Sequence, residues 1–290
     1  KRKKRNFNLD NNYSCNFRFN FKFSMGYLIG DIGGTKTRIA LSKNLKQIDK
    51  ILVFETKEKY EDFLEFIKKF SLLKIKKACF GFAGNFDKKK ERLIYTPNLE
   101  DYQGRNLKKD LEKILKCKVI LENDAALAGL GEAYYGAGKK YKVFAYLTFS
   151  SGIGGAKITN LKVDDNIFGF EPGQSLFFLS QEKNKSLIFK VEDLIGGKSL
   201  EKIFNRKPKE IKNKKFWENL SQFYAIFLVN VSLLWSPEVI IVGGGIGRRL
   251  DFKILNKDFQ VFHPVGWKIK ILKSKLDDLS GIYGGLVLLK

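Results

Sequence analysis

Asn123 and Asp124 stand between two runs of opposite habit. Val119, Ile120 and Leu121 read as a buried strand, and Ala125, Leu127, Ala128 and Leu130 read as a helix. Ligands of open α/β sheets gather at the carboxyl ends of strands. Asp124 is therefore placed where a carboxylate can face a substrate. The competing role is structural, with Asn123 or Asp124 capping the helix that follows. Three glycine-rich turns, also at strand ends, weigh towards chemistry. One is Asp31-Ile-Gly33-Gly34-Thr35-Lys36, one runs from Thr148 through Ser150, Ser151, Gly152 and Gly154, and one is Gly243-Gly244-Gly245-Ile-Gly247. Glycines let backbone N–H groups approach phosphate oxygens, Thr35 adds a hydroxyl and Lys36 a cation. Asp31 could hold Mg2+ directly or through water. Alone, the first turn reads equally well as a plain hairpin with a capping aspartate. It is not a P-loop, which needs four residues between its first Gly and Gly-Lys and a helix afterwards, and the third turn is a weak match to G-x-G-x-x-G.

The elements that must position these groups are legible around them. Residues 26–41 and 143–158 share one layout, an apolar strand, a glycine and Ser/Thr turn, then a second strand. Two such hairpins, one small domain apart, suggest an internal duplication. Two phosphate turns from two halves, facing across a cleft, would clamp a nucleotide. Helical stripes are expected at residues 61–70, 107–115, 191–204 (with a Gly-Gly interruption), 216–235 and 280–289. Strands are expected at 77–84 and 239–242, with a further β-type run at 267–272.

Composition narrows the function classes. Net charge is +23, of which +6 falls in residues 1–24. This reads as a general lysine bias that attracts polyanions, not as a specific nucleic-acid site. Cys15, Cys79 and Cys117 are sparse, as suits a reducing, cytoplasmic compartment. With His263 as the single histidine, nothing is available to build a zinc centre or a His-based triad. The longest apolar run, residues 223–235, is too short to span a membrane, which takes about 20 residues. Residues 1–24 lack an apolar signal region and read as a basic leader or disordered tail. A nucleic-acid-binding arm is the sharper alternative for them. Met25, the one methionine, is the expected natural start.

Seven stretches in order, residues 30–36, 96–99, 122–125, 131–138, 147–155, 237–245 and 274–288, resemble the ROK family of sugar kinases and repressors. The resemblance covers nearly all of residues 25–290. It implies an α/β, two-lobed actin-like ATPase (ribonuclease H-like) fold with an interlobe cleft. Residues 25–120 would form the N-terminal lobe and 121–290 the C-terminal lobe, with the terminal helix able to pack back on the former. ATP would lie between the hairpin of Asp31, Gly33, Gly34, Thr35 and Lys36 and the turn of Thr148, Ser150, Ser151, Gly152 and Gly154. Its adenosine would sit near Gly243, Gly244 and Gly245. A hexose would be held by Asn98, Asn123, Asp124, Glu171 and Gln174, and Asp124 aligns with the family's catalytic base. Mg2+ would be held by Asp31.

The implied reaction is transfer of the γ-phosphate of ATP to a sugar hydroxyl, the 6-OH of a glucose-like hexose. Fructose, N-acetylmannosamine and other sugars are alternative acceptors, and polyphosphate is an alternative donor. A homodimer follows from family analogy alone. The chain also departs from the family. Its Glu-x-Gly-His motif reads Glu171-Pro-Gly-Gln174, the cysteine loop is absent, and the usual Gly-Thr of the second turn reads Ser150-Ser151. No zinc site is expected, and a catalytically weak sugar sensor is the alternative. Glu192 is the nearest counterpart of a second sugar-binding glutamate.

Overall fold

In the computed structural model, residues 25–290 are described apart from 88, 183 and 184. The leader or tail expected at residues 1–24 lies outside the described residues. The apolar runs and glycine turns build two five-stranded sheets, one in each of two compact units. The first unit ends at Leu127 and takes back Gly281–Lys290; the second is Ala128–Ser280.

The first unit opens with three antiparallel strands, β1 (Gly26–Ile32), β2 (Lys36–Ser42) and β3 (Lys50–Glu55). After α1 (Tyr60–Lys68) come β4 (Ile75–Phe82) and a small hairpin, β5 (Asn85–Phe86) with β6 (Leu93–Tyr95). Then follow α2 (Leu107–Leu115) and β7 (Lys118–Asn123). The sheet order is β3-β2-β1-β4-β7, with β1, β4 and β7 parallel. Four-residue spacing of Leu107, Leu111 and Leu115 gives α2 one buried face. Helix α1 buries Tyr60, Phe63, Phe66 and Ile67 and gives way to a 3-10 turn at Lys69–Leu72. The core beneath these helices is aromatic. Phe63 meets Phe82 edge-on at 5.7 Å and Tyr102 at 5.3 Å, all three buried. Each such side chain contributes on the order of 1.5–3 kcal/mol through burial.

Helix α3 (Asp124–Tyr135) carries the chain into the second unit. There β8 (Val143–Phe149), β9 (Ile153–Thr159) and β10 (Lys162–Val163) repeat the antiparallel opening. A two-stranded hairpin, β11 (Leu176–Glu182) with β12 (Lys185–Lys190), precedes α4 (Val191–Ile195), α5 (Gly197–Phe204) and α6 (Lys214–Trp235). Next come β13 (Val239–Gly243), the one-turn α7 (Gly244–Gly247), α8 (Phe252–Phe262) and β14 (Lys270–Lys273). The order β10-β9-β8-β13-β14, with β8, β13 and β14 parallel, matches the first sheet strand for strand. Helix α6 starts at Asn213, whose side chain accepts from the Phe216 N–H, and stops at Ser236, which is left-handed ahead of Pro237. Helix α9 (Ser280–Leu288) returns the chain to the first unit.

The β-type run at 267–272 is a strand only from Lys270. Trp267 packs instead on the ring of His263 at 5.5 Å, and the Ile269 N–H bonds the Trp267 carbonyl in a turn.

Candidate active site

In the first unit, β7 delivers Asn123 and α3 begins at Asp124. The capping role falls to Asn123. Its Oδ1 accepts from the Ala126 N–H at 3.0 Å, and its Nδ2 donates to the Gly84 carbonyl at 2.9 Å. Asp124 is thereby left for other work. Its Oδ1 accepts only locally, from the Ala125 N–H at 2.8 Å. Burial pushes its carboxyl up to about 6, against the lowering effect of the neighbouring N–H groups. Such a group is ionised at neutral pH yet basic enough to take a proton. Gly81 makes the placement possible, because a Cβ there would stand 2.8 Å from Leu127 Cδ1 and 3.4 Å from Asp124 Cα. Beside it, Glu122 accepts from the Asn123 N–H and pairs with Lys90.

The hairpin between β1 and β2 is closed by the Gly33 N–H on the Lys36 carbonyl at 3.1 Å and braced by Thr56 Oγ1 on the Gly33 carbonyl at 2.7 Å. Gly34, Thr35 and Lys36 are exposed. Asn98 comes to this turn, since a Cβ on Gly34 would lie 2.7 Å from its Cβ. The loop bearing Asn98 is tied to Asn123 through the end of β4, where Thr96 Oγ1 bonds the Ala83 carbonyl at 2.7 Å. Gly84 makes that corner at φ +148, where a Cβ would lie 2.5 Å from the Tyr95 carbonyl. Asp31, Gly81 and Glu122 stand in register across β1, β4 and β7. Asp31 and the start of α3 are thus two strand spacings apart, about 10 Å, at one end of one sheet. The Asp31 carboxylate pairs with Arg38 at 3.9 Å and lies against the first turn of α9, at Gly281.

In the second unit, the turn between β8 and β9 is closed by the Ser150 N–H on the Gly152 carbonyl at 2.9 Å. The start of α5 holds it, with the Gly197 and Lys198 N–H groups each donating at 2.9 Å to the Ser150 and Ser151 carbonyls. The third turn lies on the same strand end. Gly244 has φ +85, and a Cβ on it would meet the Phe149 carbonyl at 2.4 Å and Thr148 Oγ1 at 2.7 Å. Gly243 is equally confined, with Tyr146 Oη 2.5 Å from where its Cβ would be. Gly245 alone of the three is open, with nothing nearer than 4.0 Å.

The loop of Glu171 and Gln174 packs on β9, where Pro172 abuts Gly155 and Gly173 abuts Ile153. Glu192 stands between this loop and the turn. Its Oε2 accepts from the Ile153 N–H at 2.6 Å and lies against Gly152 and Gly173. Through that oxygen Glu192 braces the glycine turn.

Each unit therefore assembles its own share of the expected residues. The first brings together Asp31, Gly33, Gly34, Thr35, Lys36, Asn98, Asn123 and Asp124. The second brings together Thr148, Ser150, Ser151, Gly152, Gly154, Glu171, Gln174 and the turn at Gly243. Sequence reasoning passed over Arg38, Gly281 and the turn-bracing role of Glu192. The glycines at 152, 173 and 281 were the available signal. Among the described residues, no group of three or more His, Cys, Asp or Glu could hold a metal ion. Mg2+ asks for less, one or two carboxylates plus substrate phosphates, and Asp31 beside an exposed glycine turn fits that demand. No helix among the described residues is long and apolar enough to cross a membrane.

The sequence profile of the ROK family matches residues 28–172. An uncharacterized protein of Clostridium perfringens is 29% identical over 225 residues, covering 71% of this chain and 75% of that protein. A glucokinase of Thermotoga maritima is 31% identical over 46% of this chain and 44% of its own length, so that alignment spans less than half of the relative. An N-acetyl-D-glucosamine kinase of Photobacterium profundum is 24% identical over 89% of this chain and 97% of its own length. Among solved structures, a ROK family glucokinase from Streptomyces griseus, in complex with glucose and AMPPNP, superposes with a TM-score of 0.75 at 21% identity. That match covers 91% of this chain and 98% of the other. The actin-like α/β fold expected from the sequence is the fold of this chain.

Proposed function

Because the chain belongs to the ROK family, we propose that it is a sugar kinase, a phosphotransferase that moves the γ-phosphate of ATP to a hexose hydroxyl. The acceptor on this reading is glucose-like and reacts at its 6-OH. Asp124 carries the proposal. It is a half-buried carboxylate whose pKa is raised to about 6, at the carboxyl end of a parallel strand, with its capping duty taken by Asn123. Asp124 orients the attacking hydroxyl and accepts its proton late in the step. Asn98, Asn123, Glu171 and Gln174 are the side chains assigned to the sugar hydroxyls. N–H and hydroxyl groups of the two glycine turns receive the donor's phosphates and stabilise the charge of the transferred group. Gly245, the open glycine, receives the adenosine. Mg2+ would be held by Asp31, directly or through water, and supplies positive charge to the donor phosphates.

A second reading keeps the chemistry and changes the acceptor to an N-acetylhexosamine. It is favoured by a relative that aligns along nearly its whole length, an N-acetyl-D-glucosamine kinase. The same proposal includes a homodimer. Helix α6 exposes Asn219, Phe223, Ile226, Asn230 and Leu233 at heptad spacing, without one charged residue, on a chain of net charge +23. A second copy of this uncharged seam is the partner that avoids burying lysine.

A coupled ADP-release assay with ATP, Mg2+ and a panel of hexoses and N-acetylhexosamines tests the reading. Turnover with one class of sugar supports it and names the acceptor. Silence across the panel with ATP and with polyphosphate, while calorimetry still detects sugar binding, replaces it with a sugar sensor.

A further inference from the structure

Glu132 is fully buried, and no step proposed above uses it. It lies on α3 eight residues beyond Asp124, about 12 Å along the helix at 1.5 Å per residue. A buried carboxylate is strongly disfavoured unless its lone pairs are filled. Here they are filled by uncharged groups. Oε1 accepts from Ser274 Oγ at 2.7 Å, the Leu276 N–H at 2.8 Å, Ser280 Oγ at 3.0 Å and the Lys275 N–H at 3.1 Å. Oε2 accepts from the Ala137 N–H at 2.6 Å and the Lys275 N–H at 3.2 Å.

Most of these donors come from the segment that leads into α9, and Ser280 is the first residue of that helix. The next residue, Gly281, is the one the Asp31 carboxylate lies against, with Asp31 Cγ 3.1 Å from where a Cβ would stand. The chain passes between its two units at two places, within α3 after Leu127 and at the start of α9 after Ser280. Both passages are fastened to each other twice. Glu132 does so in the second unit. In the first, α9 lies so close on α3 that a Cβ on Gly284 would be 1.8 Å from the Leu127 carbonyl oxygen. One helix begins with Asp124, and the other begins beside Asp31.

We propose that Glu132 is a positioning residue: by fastening the start of α9 to α3, it sets where Asp31 and Asp124 stand. The inference rests on the sugar-kinase reading for what the two carboxylates do, and on the hydrogen bonds alone for how they are held. A neutral amide cannot replace Glu132. Both of its oxygens accept N–H groups, so the NH2 of a glutamine would be turned against other donors.

The test uses the full chain carrying Glu132→Gln, with the milder Ser274→Ala/Ser280→Ala double variant in case the first fails to fold. Amide hydrogen exchange is followed in the first turns of α3 and α9, beside kcat, sugar KM and the Mg2+ dependence of the rate. Exchange is expected to rise at least tenfold in both first turns. A misplacement of about 1 Å can cost about 10²-fold in rate, so kcat should fall by that order. Sugar KM should change less than threefold, and the Mg2+ needed for half-maximal rate should rise. Faster exchange confined to residues 137 and 274–276, with kcat per folded molecule unchanged, would overturn the proposal and leave Glu132 a purely local brace. If the wild type phosphorylates no sugar, the sugar-kinase reading falls, and the exchange result decides the positioning claim by itself.

Discussion

The two sheets share strand order and sense, yet their corresponding positions carry different chemistry. Asp31 is the sixth residue of β1 and Thr148 the sixth of β8. Across the hairpin Asp31 faces Arg38, while Thr148 faces Gly154. Each also lies against a glycine from a later element, Asp31 against Gly281 and Thr148 against Gly244. The repeat thus fixes a place at a strand end with a glycine close above it. The side chain in that place decides what it can hold. In the first unit it is a carboxylate with a counter-cation, and a second carboxylate stands two strands away at Asp124. In the second unit it is a hydroxyl in a nest of glycines and serines. The first end suits proton transfer and a cation, the second suits phosphate oxygens.

The comparison can be broken most severely at Asp124. Asp124→Asn should lower kcat by about 10³-fold, within the range for loss of a general base, and leave the sugar Kd within about twofold. The same variant should be more thermostable at pH 8. The folded-state carboxyl sits at about 6 against an ordinary 3.8, so the native protein binds the extra proton between those values. The stability tied to that proton is present below pH about 4 and lost as pH rises through about 6. Asparagine should remove that loss, and melting curves at pH 4 and pH 8 would check that the gain appears only at the higher pH.

The second unit's end is tested next. Gly244→Ala forces a side chain into φ +85 and against the Phe149 carbonyl. Its ATP KM should rise about tenfold or more and its Tm fall. Gly245→Ala, whose methyl meets no protein atom nearer than 4.0 Å, should keep its Tm and raise the ATP KM through the adenosine alone. Equal falls in Tm at the two glycines would mean that packing does not distinguish them.

A smaller effect is expected at the ion pair that sets the first turn apart from the second. Arg38→Ala removes the counter-cation of Asp31. The Mg2+ concentration for half-maximal rate should fall several-fold, because an opposite charge no longer competes at the carboxylate. An unchanged Mg2+ titration would remove Asp31 from the metal site. The smallest effect on turnover belongs to Ile226→Lys. It should shift sedimentation from dimer to monomer and leave kcat within twofold.

Much of this arrangement was legible before any coordinates, for local reasons. The hairpin at residues 26–41, α2 at Leu107–Leu115 and the passage from strand to helix at Asn123 and Asp124 all follow from short-range pattern and turn chemistry. The groups that hold the site were not legible, because their partners are remote in the chain. Glu132 meets Ser274 across 142 positions, and Glu192 meets Ile153 across 39. A carboxylate that fills its lone pairs with backbone N–H groups leaves no mark in composition or spacing. The shortened strand at Lys270 has the same origin, since the stack of Trp267 on His263 is a tertiary contact that overrides β propensity.

The most direct test of the account is the pH dependence of kcat/KM for the sugar acceptor, measured at saturating ATP and Mg2+ on wild type and Asp124→Asn. A rising limb centred near pH 6 in the wild type, and a residual rate without that limb in the variant, is the predicted result. A wild-type profile flat from pH 5 to 8, or the same limb surviving in Asp124→Asn, would contradict Asp124 as the group that accepts the proton.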